Sequence, residues 1–137
     1  MRLFALDASQ VDATWEDYAH HFERFERKFG DITASQIKDA ALSGAMQIWG
    51  LQDDDAVHAV VATEVCRTAG APLCVIRIAC GGARVAMQER LLDEIGKWAS
   101  QEQGCERIRI YGRVGWLRRF RRFRMTGVIA EWQLKVN

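Results

Sequence analysis

The sequence lacks the features that restrict a chain to a special class of protein. Its 137 residues contain one proline, Pro72, and no repeat, low-complexity segment or linker. No apolar run approaches the roughly 20 residues that a membrane-spanning helix needs. With 27% charged and 49% hydrophobic residues, the composition is typical of a soluble globular protein. We therefore expect a single domain over residues 1–137, large enough to bury its own core.

Cysteine and histidine are also too sparse and too scattered to suggest a metal or a disulfide framework. The cysteines form no CxxC pair: Cys66, Cys74, Cys80 and Cys105. Three of them fall in strand-like runs, where a reduced and buried thiol is common. His20 and His21 are adjacent and His58 alternates with apolar neighbours, so no zinc spacing occurs. The sequence predicts no metal site and, without a signal peptide, a cytoplasmic location.

The net charge of +1 hides an asymmetry between the two halves of the chain. Residues 1–70 carry 12 acidic and six basic residues, a net charge of −6, whereas residues 71–137 carry six acidic and 13 basic residues, a net charge of +7. Such a dipole allows contact with a second copy or a charged partner. It equally allows the two halves of one chain to attract each other.

Apolar residues at helical spacing predict two long amphipathic helices. The first stripe consists of Val11, Trp15, Tyr18, Phe22, Phe25 and Phe29. Asp7 or Ser9 can cap this helix and Gly30 can end it. The second stripe consists of Met87, Leu91, Ile95 and Trp98, and it ends near Gly104. A capping box at 33–36 predicts a shorter helix that continues to Leu42.

Six segments have the pattern of strands: 2–6, 45–52, 56–68, 73–80, 106–111 and 128–136. Segment 73–80 is apolar almost throughout, as in a strand covered on both faces. Antiparallel strands followed by a strand–helix–strand unit indicate a mixed sheet. We therefore predict an α/β fold whose central mixed sheet is flanked by about four helices.

A segment rich in arginine, 113–128, precedes the last predicted strand. As a helix it places Trp116, Leu117, Phe120 and Phe123 on one face and its cations on the others. The predicted interface cations are Arg113, Arg118, Arg119, Arg121, Arg122 and Arg124. Arginine is enriched in protein interfaces, so a protein partner or a second copy is expected. Nucleic acid remains an alternative through phosphate contacts; base stacking is disfavoured because rings and cations are separated, and a membrane surface is not expected.

Residues 91–111 resemble the second half of the GNAT acyltransferase superfamily. A helix ends in WA-x-x-x-x-GC, followed by a charged residue, an alternating strand and a short helix that runs into a glycine. The likeness covers about residues 73–130, and the order of elements agrees over the whole chain. It implies the GNAT fold, with acetyl-CoA in a cleft where two central strands separate.

The family's phosphate-binding signature, Q/R-x-x-G-x-G/A, lies at the start of the long helix, whose N–H groups receive the pyrophosphate. Alignment on Leu91 and Leu92 places Gln88 where the second glycine of the signature stands. If coenzyme A binds, the resemblance implies that the residues around it are Gly82, Ala83, Arg84, Ala86 and Gln88.

The catalytic residues of the family are also replaced. The tyrosine that many members use as general acid corresponds to Phe123, which has no proton to donate, and the preceding asparagine corresponds to Trp116. Segment 73–80 holds no acid. Glu64 on the neighbouring strand is the only nearby candidate base, and its position also suits a solvated strand residue.

Three functional hypotheses follow. The one preferred on the sequence is a non-enzymatic structural or assembly protein, because the chain also resembles small GNAT-like proteins of tailed phages and prophages, some of them virion-associated. It requires no cofactor and implies a host cytoplasm or phage particle as location. The alternative is a divergent acetyl-CoA-dependent N-acetyltransferase with water or Glu64 as base. The third is a nucleic-acid-associated protein that uses the arginine-rich helix.

Overall fold

The computed structural model describes residues 1–112 and 115–135, and within them the chain forms five strands and five α-helices. The strands are β1 (Arg2–Leu6), β2 (Gln47–Gln52), β3 (Val57–Cys66), β4 (Leu73–Gly81) and β5 (Arg107–Ile110). The helices are α1 (Ala8–Thr14), α2 (Ala19–Phe29), α3 (Ala34–Leu42), α4 (Val85–Lys97) and α5 (Gly115–Arg119).

The strands form one mixed sheet in the order of the chain, β1-β2-β3-β4-β5. Neighbours are antiparallel from β1 to β4, and β5 runs parallel to β4 after the α4 crossover. A core that includes Val11, Phe22 and Ile37 joins α1–α3 to one face of the sheet. A second core, around Leu91 and Ile95, joins α4 to the other face. The α/β class and the mixed sheet predicted from the sequence are confirmed.

The first predicted helix is broken in two, which corrects the sequence interpretation. A 3-10 turn at Trp15–Asp17 separates α1 from α2. The Thr14 hydroxyl lies 2.8 Å from the carbonyl oxygen of Gln10, to which it donates, and 3.0 Å from the Tyr18 hydroxyl. Such side-chain bonds to the backbone compete with helical geometry. The apolar stripe still faces the core at Trp15 and Tyr18, while Phe29 at its end is 44% exposed.

Other local signals are confirmed. Thr33 caps α3 through the predicted box: its N–H donates to Gln36 Oε1 at 2.9 Å, and its hydroxyl oxygen accepts from the Gln36 N–H at 3.0 Å. Gly30 ends α2 with a φ of 72°, a left-handed conformation that glycine adopts without strain. No helix in the described residues is long and apolar enough to cross a membrane.

The C-terminal part of the chain differs most from the prediction. Helix α5 ends at Arg119, and residues 120–135 form no helix or strand in the structure as described. Phe120 is nonetheless buried at 1% exposure, so it attaches the end of α5 to the α4 side of the sheet. The strand predicted at 128–136 is absent over residues 128–135 because no neighbouring strand is in hydrogen-bonding position. Arg113 and the end of that predicted strand, residue 136, lie outside the described residues.

A carboxylate organises the turn between β2 and β3. Asp53 Oδ1 accepts the N–H groups of Asp55 at 2.9 Å and Ala56 at 3.0 Å, and Asp53 Oδ2 lies 2.6 Å from Nε2 of His58. The two backbone bonds, followed by the His58 contact, hold the pKa of Asp53 at about 2, because each favours the charged carboxylate. His58 is thus a partly buried, hydrogen-bonded strand residue.

This turn predicts a pH dependence of stability. A carboxyl whose pKa is lower in the folded state stabilises the fold above its unfolded pKa of roughly 4, and this contribution is lost as the pH falls toward about 2. Asp53→Asn should therefore lower the free energy of unfolding in urea at pH 6, with a difference from native protein that narrows below pH 4. Asp55→Asn is the control, since its side chain is exposed and appears in none of the ion pairs of the described residues. Equal losses of unfolding free energy in the two variants would contradict the stabilising role assigned to the Asp53 carboxylate.

Candidate functional site

The candidate site lies where β4 and β5 separate. The two strands pair only from Leu73 opposite Arg107 to Ile76 opposite Ile110, and β4 then continues to Gly81 without β5 beside it in the described residues. The register between β3 and β4 shifts at the same point: Thr63 faces Ile76 while Ala62 faces Ile78. Arg77 is therefore an extra residue, a β-bulge. Bulges redirect side chains and end pairing, and they are over-represented beside active sites.

The bulge reverses the side-chain alternation of β4. Cys74 and Ile76 pack into the core beneath α4, whereas Ile78 and Cys80 pack against the α1–α3 core. In a regular strand all four would share one face. One strand thus supplies both cores, which accounts for the nearly continuous apolar sequence of 73–80.

Two cavities flank the unpaired part of β4. A cleft of about 800 Å³ lies on the α2 side, and a cavity of about 220 Å³ lies between β4, α4 and α5. Both are lined by the same five residues: Ile76, Ala79, Cys80, Gly81 and Trp116. Because the shared residues belong to the strand edge and to α5, the two cavities lie on opposite faces of the same stretch of β4. The gap beside β4 therefore has a cavity on each face of the sheet.

The cleft on the α2 side is lined mostly by apolar side chains, and the charged groups among them are mainly cationic. The polar side chains of its lining include His21, Arg24, Lys28, Asp31, Arg77 and Tyr111. Nε of Arg77 lies 3.6 Å from Oε2 of Glu64, so the acid predicted as a candidate base is held in an ion pair behind the lining. Tyr111, 48% exposed, stands in the cleft at the end of β5. Sequence reasoning missed this hydroxyl, although its place directly after an alternating strand could have suggested a position at a sheet edge.

Two other ionisable groups of the lining have a pKa that burial shifts. Burial raises the pKa of the Cys80 thiol to about 12, against an opposing effect of Arg24, so the thiol stays protonated and is a poor nucleophile. Burial lowers the pKa of His21, while its bond to Val57 acts in the opposite direction. Nε2 of His21 lies 2.8 Å from the carbonyl oxygen of Val57. Its Nδ1 is buried and has no hydrogen-bond partner among the described residues.

The residues that the resemblance assigns to coenzyme A lie together at the end of β4 and the start of α4. The Gly82 N–H donates to the carbonyl oxygen of His58 at 3.0 Å, so it is already occupied. Nε2 of Gln88 donates to the carbonyl oxygen of Ala83 at 2.8 Å. The Gln88 side chain therefore bonds to the backbone of the loop between β4 and α4, at the position where the family signature has a glycine. Ala86 lies in the first turn of α4, where backbone N–H groups have no helical acceptor.

The predicted interface arginines do not all face solvent freely. Nη1 of Arg122 lies 2.8 Å from Oδ1 of Asp93, and its Nη2 pairs with Glu89. These bonds, that of Asp93 first, raise the pKa of Arg122. Nη1 of Arg119 lies 3.5 Å from Oε1 of Gln88. These two cations thus attach the α5 region to α4, whereas three are exposed without such contacts in the described chain: Arg118, Arg121 and Arg124.

The end of β4 gives a matched pair of glycines for a stability test. An alanine Cβ at Gly81 would overlap the carbonyl oxygen of His58 and approach Cα of Ala59 to 2.9 Å, at a φ of +83°. Gly82 has nothing within 4 Å of such a Cβ. Gly81→Ala should cost at least about 2 kcal/mol of unfolding free energy in urea titrations, and Gly82→Ala less than about 0.5 kcal/mol. Similar losses for both would refute this geometry.

Solved structures of acetyltransferases share this architecture. A probable acetyltransferase superposes with a TM-score of 0.71 at 12% identity, over 100% of this chain and 99% of that chain. An aminoglycoside acetyltransferase from an uncultured soil metagenomic sample gives 0.73 at 11% identity, over 98% and 96%. Ribosomal-protein-alanine N-acetyltransferase from Brucella melitensis biovar Abortus 2308 gives 0.65 at 10% identity, over 99% and 96%.

Sequence comparisons add no relative. No protein-family model matches the chain, and no curated protein matches it significantly. The reported structures give no support to the assembly role in phage particles that the sequence favoured. At identities this low the superpositions establish the fold. The resemblance inferred from residues 91–111 is thus confirmed, and the chain has the fold of the GNAT acetyltransferases.

Proposed function

We propose that the protein is a divergent N-acyltransferase that uses an acyl-coenzyme A as donor and an amine as acceptor. The observation that carries this proposal is the gap beside β4, with a cavity on each face of the sheet. Two cavities at one strand edge can hold one substrate each, and positioning the two reacting groups at that edge supplies much of a rate enhancement. The acetyltransferase activity of proteins with the same fold supports the choice of donor.

The donor side would use backbone groups more than side chains. From Arg77 to Gly81 the edge of β4 has no strand beside it in the described residues, so its N–H and C=O groups are free to pair with the amides of an extended donor, as in strand addition. The first turn of α4, a helix of 13 residues, offers N–H groups and a positive partial charge to a pyrophosphate. Arg84 at its N-cap adds a cation.

The transfer itself needs little from the protein beyond position and one proton. The acceptor nitrogen attacks the thioester carbonyl carbon, the C–N bond forms, and the C–S bond breaks. The amine loses a proton to water, and the leaving thiolate gains one. We assign the donor of that proton to Tyr111, because this residue lines the cleft while Phe123 cannot donate. The tyrosinate then regains a proton from water, which carries the one released by the amine. Glu64 stays paired with Arg77 and is not required.

The enzyme, which was the alternative on the sequence, thus takes the place of the assembly role that the sequence favoured. The assembly role rested on the loss of the phosphate-binding glycine, the tyrosine and the base. The helix start remains available to an anion despite Gln88, and Tyr111 offers a hydroxyl from a different element. Nucleic-acid binding through Arg118, Arg119, Arg121 and Arg122 stays a prediction, and it would show as duplex binding that weakens steeply with salt.

Donor binding can be tested by calorimetric titration with acetyl-CoA. The native protein should bind, and ligand at about 100 times its dissociation constant should stabilise the fold by about 2.7 kcal/mol. Ala86→Asp should weaken binding at least about tenfold, because a carboxylate at the start of α4 repels the phosphates. An acid there favours the helix, so misfolding would not explain the loss. Ala86→Asn is the neutral control. Absence of binding by native protein at millimolar acetyl-CoA would reject the proposal.

Turnover can be tested separately from binding. With a panel of amines, thiol release from acetyl-CoA should fall about 10²- to 10⁴-fold in Tyr111→Phe, the usual contribution of a general acid, while the dissociation constant of acetyl-CoA stays within twofold. Phe123→Tyr is the reciprocal variant and should leave native turnover intact. Binding without thiol release for any amine would leave a coenzyme A-binding protein that is not an enzyme.

A further inference from the structure

The cleft on the α2 side of β4 can hold the second substrate, because the groups proposed for the donor lie at the start of α4 and in the backbone of the β4 edge. At about 800 Å³ this cleft is larger than the cavity of about 220 Å³ on the α4 side. Its lining includes Tyr111 and the edge residues from Ile76 to Gly81. A molecule bound in the cleft therefore lies beside the edge that the donor uses.

Cations outnumber acids among the charged side chains of this cleft. Arg24 and Lys28 belong to α2 and Arg77 to β4, whereas Asp31 is the one acid of the lining in the described residues. Arg77 has an ion-pair partner in Glu64. Neither Arg24 nor Lys28 forms an ion pair with a described residue. The cleft therefore has two cations whose charge no ion pair of the described chain neutralises.

Arg24 lies close to the β4 edge. Burial raises the pKa of the Cys80 thiol, and the charge of Arg24 opposes that rise. Burial also lowers the pKa of His21, and the charge of Arg24 adds to the effect. Both shifts require the guanidinium to be near these two groups of the lining. Lys28 follows Arg24 by four residues, so the two cations lie on the same side of α2.

Apolar side chains lie beside these cations. Phe25 and Phe29 line the cleft, and their ring centroids are 4.6 Å apart. Nζ of Lys28 lies 5.4 Å from the ring centroid of Phe29. Ile32 and Trp116 also belong to the lining. Apolar walls with a few placed charges are typical of small-molecule sites, and this combination suits a ligand that has both an anionic and an apolar group.

We propose that the acceptor is an α-amino acid with a large apolar side chain, whose carboxylate pairs with Arg24 and whose side chain packs on Phe25 and Phe29. The planar guanidinium can bind a carboxylate through two N–H groups, and Lys28 adds attraction as a point charge. The amine and the carboxylate of an α-amino acid share one carbon atom. A carboxylate held by Arg24, close to Cys80, therefore keeps the amine beside the β4 edge. This inference rests on the proposed acyltransferase function.

Thiol release from acetyl-CoA tests the class of acceptor. For L-phenylalanine, kcat/KM should be at least about tenfold higher than for 2-phenylethylamine, which lacks only the carboxylate and so loses a charge-assisted hydrogen bond. O-Phosphoserine, which offers a phosphate, and spermidine, a polycation, should both react less well than phenylalanine. Equal values for phenylalanine and 2-phenylethylamine would overturn the inference while the acyltransferase function stands. A preference for O-phosphoserine would assign the cations to phosphate and reject the apolar amino acid.

A substitution on α2 identifies the carboxylate partner. Arg24→Gln should raise the KM for phenylalanine about 10- to 100-fold, with unchanged circular dichroism because Arg24 is exposed. Arg27→Gln is the matched control, since Arg27 is exposed on the same helix and does not belong to the cleft lining as described. It should leave this KM within twofold. The same KM in Arg24→Gln as in native protein would remove Arg24 from the proposed site.

Calorimetric titration with reaction products separates this inference from the proposed function. N-Acetyl-L-phenylalanine should bind at least about tenfold more tightly than its neutral amide, and Arg24→Gln but not Arg27→Gln should abolish the difference. Equal binding of acid and amide would exclude a carboxylate site. If no amine supports thiol release while the acid still binds more tightly, the enzymatic function fails and the carboxylate site is supported.

Discussion

The extra residue at Arg77 is the constraint on which the rest of the site depends. Because β4 gains one residue against β3 there, its later side chains exchange faces. A regular strand would place Cys74, Ile76, Ile78 and Cys80 on one face, whereas here the first two face the α4 core and the last two face the α1–α3 core. Strand β5 ends at Ile110, opposite Ile76, so the edge of β4 from Arg77 to Gly81 is unpaired in the described residues.

The parts of the fold that local chemistry decides were predictable from the sequence. The Thr33 capping box and the α4 stripe need only neighbouring residues, and both are present. The bulge was not predictable, because an apolar run such as 73–80 looks the same whether or not one residue is skipped. The break after Thr14 depends on where one hydroxyl points. The strand predicted at 128–136 was wrong over the described residues. Alternation of apolar and polar residues indicates which face a strand would bury, but it does not show whether a sheet edge lies close enough to pair with.

The candidate site was predictable in place and less so in composition. The alignment pointed to the residues from Gly82 to Gln88, and in the structure they lie at the end of β4 and the start of α4, since a loop between a strand and a helix keeps its position in a fold. It did not point to Tyr111, because the family pattern refers to a different element and several elements end near the cleft. Phe123 packs edge-on against Trp116, with ring centroids 6.2 Å apart. Its position in the chain thus serves the packing of α5 rather than proton transfer.

The segment after α5 and the cleft are joined through one side chain. Ile129 is 79% exposed and also lines the larger cavity, together with Tyr111 and Trp116. Residues 120–135 form no helix or strand among the described residues, so this wall of the cavity depends on the packing of Trp116 against Phe120 and Phe123 rather than on strand pairing.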